Sequence, residues 1–276
     1  MFDAVYLGSD FASACGLGMV GRVHSIFERA VNIRLDDKAG GLLTLLSADI
    51  DIMPASLTAY TPPGTWERLM KAGDRILFTR DIIYTGSMPV IGGITTAIRW
   101  QRLSDKELAG QAKPETQRVV NNCTMVENYL NTKSPPSTIF PVAPQPFDPL
   151  DLIGLGLGLT PAGDDFLAGV LYGMAFMEKL YAVKSPRLYE LSDTITKSLH
   201  LTGEISRHFL RYALAGEWGR NTQGFLTALA GNEAEKLRNA TDKKLAIGAT
   251  SGADEIRGCL YGVQYMTQSQ DKARHL

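Results

Sequence analysis

The amino-acid sequence predicts an α+β protein with a β-rich N-terminal half, a barrel-like or open antiparallel sheet, and a helical C-terminal half. Three observations carry that prediction. Short apolar runs broken by turn signals fill the first hundred residues, and apolar positions at helical spacing dominate after residue 150. Between them, residues 134–149 hold Pro135, Pro136, Pro141, Pro144, Pro146 and Pro149, whose locked φ angles and missing donors exclude regular structure. Strands and helices that segregate in this way point to α+β rather than to a doubly wound sheet. The expected organisation is a domain over 1–133 with a closing helix, a Pro-rich connector or wrapping loop over 134–149, and a helical domain over 150–276.

Taken in order, Val23–Leu35 is apolar at Val23, Phe27, Val31, Ile33 and Leu35 but broken at Ser25 and Arg29. That is an imperfect period of two, with a helix over Ile26–Ile33 as its competitor. The turn Asp36–Gly41 then leads to the apolar run Leu42–Leu46, and a hairpin accounts for both halves better than a helix. Further strands are expected at Arg75–Thr79, Ile82–Thr85 and near Ile94–Trp100. Over Ser104–Asn131, Leu108, Val119, Val120, Val126, Tyr129 and Leu130 have helical spacing, and Pro114 fits the first position of a helix. Beyond the connector, helices are expected at about 161–183, 186–200, 204–215, 222–230, 233–245 and 252–267.

Composition narrows the function. The net charge is −1, from 28 basic and 29 acidic residues, so no basic field exists to attract nucleic acid. The apolar stretch Phe166–Met177 is too short to cross a bilayer of roughly 30 Å, and the N-terminus lacks the basic start and apolar core of a signal peptide. Cys15, Cys123 and Cys259 are scattered without metal-ligand spacing, which implies structural thiols in a reducing compartment. A cytoplasmic protein without a nucleic-acid or membrane partner is the expectation; the sequence names no cofactor and no metal ligands.

The densest signal is Gly154–Asp165, GLGLGLTPAGDD. Gly154, Gly156 and Gly158 alternate with Ile153, Leu155, Leu157 and Leu159, so the apolar residues can anchor one side while bare backbone admits a ligand on the other. Thr160 suits a helix N-cap and Pro161 the first helical position. Exposed N–H groups and the positive end of the helix dipole favour a phosphate or carboxylate at Gly156, Gly158, Thr160 and Gly163. Asp164 and Asp165 stabilise the helix end, yet they repel an anion unless a proton or cation intervenes. Neither a P-loop nor a dinucleotide fingerprint fits, and tight helix packing alone is the competing explanation for the glycines.

A second segment repeats the first. Gly163–Gly173 (GDDFLAGVLYG) and Gly252–Gly262 (GADEIRGCLYG) share Gly, Asp, Gly, Leu, Tyr and Gly at six aligned positions, and Thr250 and Ser251 precede the second copy as cap residues. Within each copy, Asp and two Gly fall at i, i+4 and i+8 on one helical face, a small-residue groove that lets another backbone approach. Interior glycine costs a helix roughly 1 kcal/mol, so a paired helix should compensate. If the two helices run parallel, Asp165 and Asp254 meet at one end, and adjacent carboxylates raise a pKa or recruit a cation. An antiparallel pair separates them.

These segments carry a family resemblance. GLGLGLTPAGDDFLAGVL and IGATSGADEIRGCLYG resemble the signature segments of the AllH (YlbF-like) family. Gly21–Ser25 with Arg29–Asn32 resembles its N-terminal signature, and Thr202, Ser206, Phe209 and Leu210 a third segment. The resemblance implies a subunit of an oxamate carbamoyltransferase that works with FdrA-type and AllG-type subunits. That complex interconverts oxalurate plus phosphate with oxamate plus carbamoyl phosphate in allantoin breakdown. Small anions of this kind suit helix N-termini, and carbamoyl transfer needs N–H donors or cations at a developing oxyanion.

The expected catalytic or cation-holding residues are Asp164, Asp165 and Asp254. The expected substrate-binding residues are Gly156, Gly158, Thr160, Gly163, Ser251 and Gly252, with Arg22 and His24 as positive partners. Arg207, His208 and Arg211 are weaker candidates, since a basic cluster on one helix is commonly a solvated face. Tyr172 and Tyr261 read as core residues. The competing functional classes are a non-catalytic binding or assembly subunit and a stand-alone enzyme acting on another small carboxylate.

Overall fold

The structure, a computed structural model, describes residues 1–36, 41–134, 139–143 and 145–274, with side chains to Gln268. Most of the expected turn before Gly41, together with Pro135, Pro136 and Pro144, therefore lies outside the described residues. The chain divides into two units, Met1–Arg102 and Leu103–Leu276.

The first unit contains β1 (Phe2–Leu7), α1 (Ser9–Leu17), β2 (Val20–Phe27), β3 (Ala30–Leu35), β4 (Leu42–Ser47), β5 (Ser56–Ala59), α2 (Thr65–Leu69), β6 (Arg75–Phe78), β7 (Ile83–Thr85), β8 (Met88–Gly92) and β9 (Ile98–Arg99). The strand order is β5-β4-β3-β2-β6-β7-β8-β1-β9, and β1 also pairs with β5. Eight strands thus close into a ring, which removes sheet edges. The barrel-like alternative holds, but the sheet is mixed: β1–β8, β1–β9 and β4–β5 are parallel. Phe11, Ile33, Leu45, Leu57, Trp66, Ile76 and Phe78 are fully buried side chains of this unit's core.

Where the sequence pattern faltered, the backbone is irregular. Val23–Leu35 is two strands joined by a turn at Glu28-Arg29, not one, and no helix forms over Ile26–Ile33. The slip in alternation at Ser25 coincides with a bulge in the β2–β3 register between Val23 and Ser25. Ile94–Thr96 is a 3-10 turn rather than the start of a strand, leaving β9 only two residues. The short β5 is buried at every position, and a strand buried on both faces shows no alternation.

The second unit contains α3 (Asp105–Ala109), α4 (Thr116–Lys133), α5 (Ala162–Tyr181), α6 (Pro186–Ser198), α7 (Glu204–Leu214), α8 (Arg220–Ala230), α9 (Ala234–Leu245) and α10 (Ser251–Arg274). The division falls earlier than the boundary drawn after residue 133. Val119, Cys123, Val126 and Leu130 of α4 join the same core as Phe166, Leu171 and Ile256, so the polar helix follows its buried stripe into the helical unit. The Pro-rich segment accordingly lies within one unit, and its described part wraps α5 and α10. Phe140 stacks on Phe166 at 4.5 Å, and the Tyr261 hydroxyl donates to Gln145 O at 2.5 Å. Pro114 precedes α4 without being its first residue, because Glu115 is the N-cap.

At the centre α5 packs on α10. It is buried on nearly every face, as an all-round apolar helix must be. A Cβ at Gly169 would lie 2.1 Å from Glu255 O, and one at Gly258 would lie 2.0 Å from Phe166 O. Further along, Gly173 faces Cys259 and Gly262 faces Val170 and Met174. Contacts that advance together along both chains mean parallel helices. The pattern is also reciprocal: Gly169 meets 255 and 259 just as Gly258 meets 166 and 170, which is a pseudo-two-fold axis between the copies.

Candidate functional site

Because the helices are parallel, both Gly-Asp starts lie at one end of the pair. Each start is preceded by the same turn. Leu155 N donates to Leu152 O and Gly163 N to Leu155 O; Ile247 N donates to Lys244 O and Gly252 N to Ile247 O. A Cβ at Gly163 or Gly252 would lie 1.9 Å from Leu152 O or Lys244 O respectively. These two glycines therefore admit a carbonyl of their own chain. Their N–H groups, expected to hold an anion, are taken up internally.

The remaining loop differs from its expected form. Pro161, not Thr160, is the N-cap of α5, and its carbonyl accepts from Asp164 N and Asp165 N at 2.9 and 3.1 Å. Leu155, Leu157 and Leu159 do not anchor the loop; they are 40%, 97% and 47% exposed. Gly154, Gly156 and Gly158 have φ of 73°, 121° and 94°, a backbone that favours glycine. Among the described residues, no backbone N–H from Gly156 to Thr160 donates to a protein acceptor. Five consecutive unpaired N–H groups flank a helix N-terminus, the geometry that attracts an anion.

Beneath the loop sit the carboxylates. Asp164 is 2% exposed; it accepts from Gly154 N at 2.8 Å and from the Thr202 hydroxyl. Asp165 is mostly buried, and its Oδ2 has no partner among the described residues. Burial, opposed by a hydrogen bond from Ser251 and reinforced by Glu255, Asp254 and Asp164, pushes its carboxyl up to about 8. Ser251 Oγ also lies 3.0 Å from Thr160 Oγ1, which joins the two loops. Asp254 is buried too, and desolvation raises its pKa against the pull of Arg257, whose Nη1 is 3.0 Å away.

The sequence reading missed a neighbouring ion pair. Lys244 Nζ is 2.5 Å from Glu255 Oε1 with the lysine side chain 1% exposed, and Thr222 Oγ1 donates to the same carboxylate at 2.8 Å. Glu255 was legible beside Asp254, whereas Lys244 ends a charged run that reads as a solvated helix end. Three carboxylates thus become compatible with an anion nearby. Asp165 holds a proton at neutral pH, Asp254 has Arg257, and Asp164 has two donors.

Residues 152–263 match the family model described as oxamate carbamoyltransferase subunit AllH, and residues 4–99 match that of the AllH family N-terminal domain. The chain belongs to the AllH family. No solved structure matches it. The match begins at Leu152, just ahead of the loop, and runs through the Gly face of α10. The AllH-family fold accordingly includes both copies of the Gly-Asp motif.

The other candidates occupy ordinary environments. Arg22 on β2 is exposed and lies 3.7 Å from Asp36, while His24 Nδ1 is 3.2 Å from Ser25 Oγ; both belong to the first unit. The signature residue Asn32 is buried and ties Ser25 to Thr44. Tyr172 and Tyr261 lie in the core, packed on Trp218 and Phe166. The three cysteines are free and buried, and burial pushes Cys15 and Cys123 up to about 12, which leaves them poor nucleophiles. Among the described residues no helix is long and apolar enough to cross a membrane.

Proposed function

We propose that this chain is a subunit of a carbamoyltransferase-type complex, with FdrA-type and AllG-type partners, that binds a small anion at the Gly156–Thr160 loop. The family supports the reaction class, and the run of unpaired N–H groups above a protonated Asp165 carries the site assignment. In the direction from oxalurate, a phosphate oxygen attacks the carbamoyl carbon and the bond to the oxamate nitrogen breaks. Loop N–H groups stabilise the developing oxyanion. Asp165 supplies the proton that the departing nitrogen takes up. Asp254, whose pKa desolvation raises against the pull of Arg257, is the second carboxylate at the same helix ends and the complementary proton acceptor. In a reconstituted complex, Asp165→Asn should abolish transfer while leaving the thermal midpoint at pH 7 at or above the parent's. Loss of folding instead makes Asp165 structural.

A second reading is a non-catalytic assembly subunit, favoured by Leu155, Leu157 and Leu159 exposed on the same loop. Such patches mark protein interaction sites. Calorimetry on the isolated chain separates the readings: an assembly subunit gives no saturable binding of phosphate, oxamate or carbamoyl phosphate. A stand-alone enzyme on another small carboxylate, by contrast, turns over without partners.

A further inference from the structure

A second cationic feature lies on α7. Adjacent side chains there face different neighbours: the Ser206 hydroxyl donates to Leu159 O of the glycine loop, whereas Arg207 turns to the Leu199–Leu201 turn. Arg207 Nε donates to Leu199 O and Nη2 to Thr202 O, each at 2.9 Å. These two bonds fix the guanidinium plane and leave three of its five N–H donors. Arg211 follows one turn later, with no ion-pair partner among the described residues; Arg207 also has none. Both line an open groove of about 620 Å³ between α6 and α7, with His200 on the opposite wall and no carboxylate in the lining. Like charges at i and i+4 destabilise a helix, and among the described residues no carboxylate pairs with either arginine.

We propose that the groove between α6 and α7 is a binding site for a small oxyanion, a phosphate or a carboxylate, held by Arg207 and Arg211. A guanidinium held by two backbone carbonyls beside an exposed one presents the bidentate donors such groups take. The site is separate from the glycine loop but connected to it. Arg207 holds Thr202 O, the Thr202 hydroxyl donates to Asp164, and Asp164 holds Gly154 N. An anion in the groove therefore tightens the residues that anchor the loop.

The test is calorimetric titration of the full chain with inorganic phosphate and, separately, with oxamate, which distinguishes the two oxyanion classes. Arg211→Glu lies at an exposed position, so folding should survive, and the affinity should fall by at least about tenfold, the loss expected of one charge-assisted contact. Arg207→Gln should do the same, and its folding is checked by circular dichroism. Asp165→Asn and Gly158→Ala should leave groove affinity unchanged even if they abolish the loop site. An affinity insensitive to Arg211→Glu but lost in Gly158→Ala overturns the groove and leaves the loop as the anion site. No saturable binding of either anion overturns it as well.

Discussion

The two copies of the Gly-Asp helix start share a backbone and differ in their charges. Both place a glycine against a preceding carbonyl and an aspartate in the first turn. Around the second copy stand Glu255 and Arg257, at positions where the first copy has Phe166 and Ala168. Asp254 therefore finds a cation within its own helix, while Asp165 is desolvated beside Glu255, Asp254 and Asp164 with Ser251 as its donor. The first loop is also longer, with seven residues from Gly156 to Ala162 against four from Gly248 to Ser251. A duplicated scaffold with broken charge symmetry yields two carboxylates of unequal acidity, which matched surroundings could not.

Four experiments break or sharpen that comparison. The largest effect is expected from Gly258→Ala or Gly169→Ala, which drive a methyl into the facing backbone. Overpacking there should cost about 3 kcal/mol or more in urea unfolding, and a loss below about 0.5 kcal/mol would exclude the close parallel contact. Next, Lys244→Met strands Glu255 without its cation and should cost about 3 kcal/mol. Adding Glu255→Met should recover most of that, and a double variant no better than the single shows that the pair is not coupled.

The third effect is a pH dependence. Asp165 binds its proton more tightly folded than unfolded, so its stabilising contribution is complete below the unfolded pKa of about 4 and is lost as pH rises through about 8. Asp165→Asn should match the parent in thermal midpoint near pH 4 and exceed it by a growing margin as the pH rises to about 8 and beyond. Parallel curves for the two proteins across that range contradict a raised carboxyl. The smallest effect is Arg22→Ala, which removes an exposed ion pair worth at most about 1 kcal/mol.

Legibility followed how local the cause was. The helices of the second unit were placed closely, α5 through α9 within about two residues and α10 at its start though seven residues short at its end, because their apolar period and Pro or Gly boundaries are written in adjacent positions. Strands β1, β5 and β8 were not read, since β5 is buried without alternation and all three derive their identity from partners far along the chain. The glycine loop was legible in the sequence, but not the exposure of its leucines, which depends on what covers them.

The sequence by itself determined the division into a strand-rich and a helical half, the repeated Gly-Asp motif, and the family. Each follows from spacing along the chain. Only the tertiary structure decided that α5 and α10 run parallel, that Asp165 keeps its proton, and that Lys244 is buried against Glu255. Those outcomes depend on desolvation and on charges brought together from distant residues, and neither quantity exists until the chain has packed.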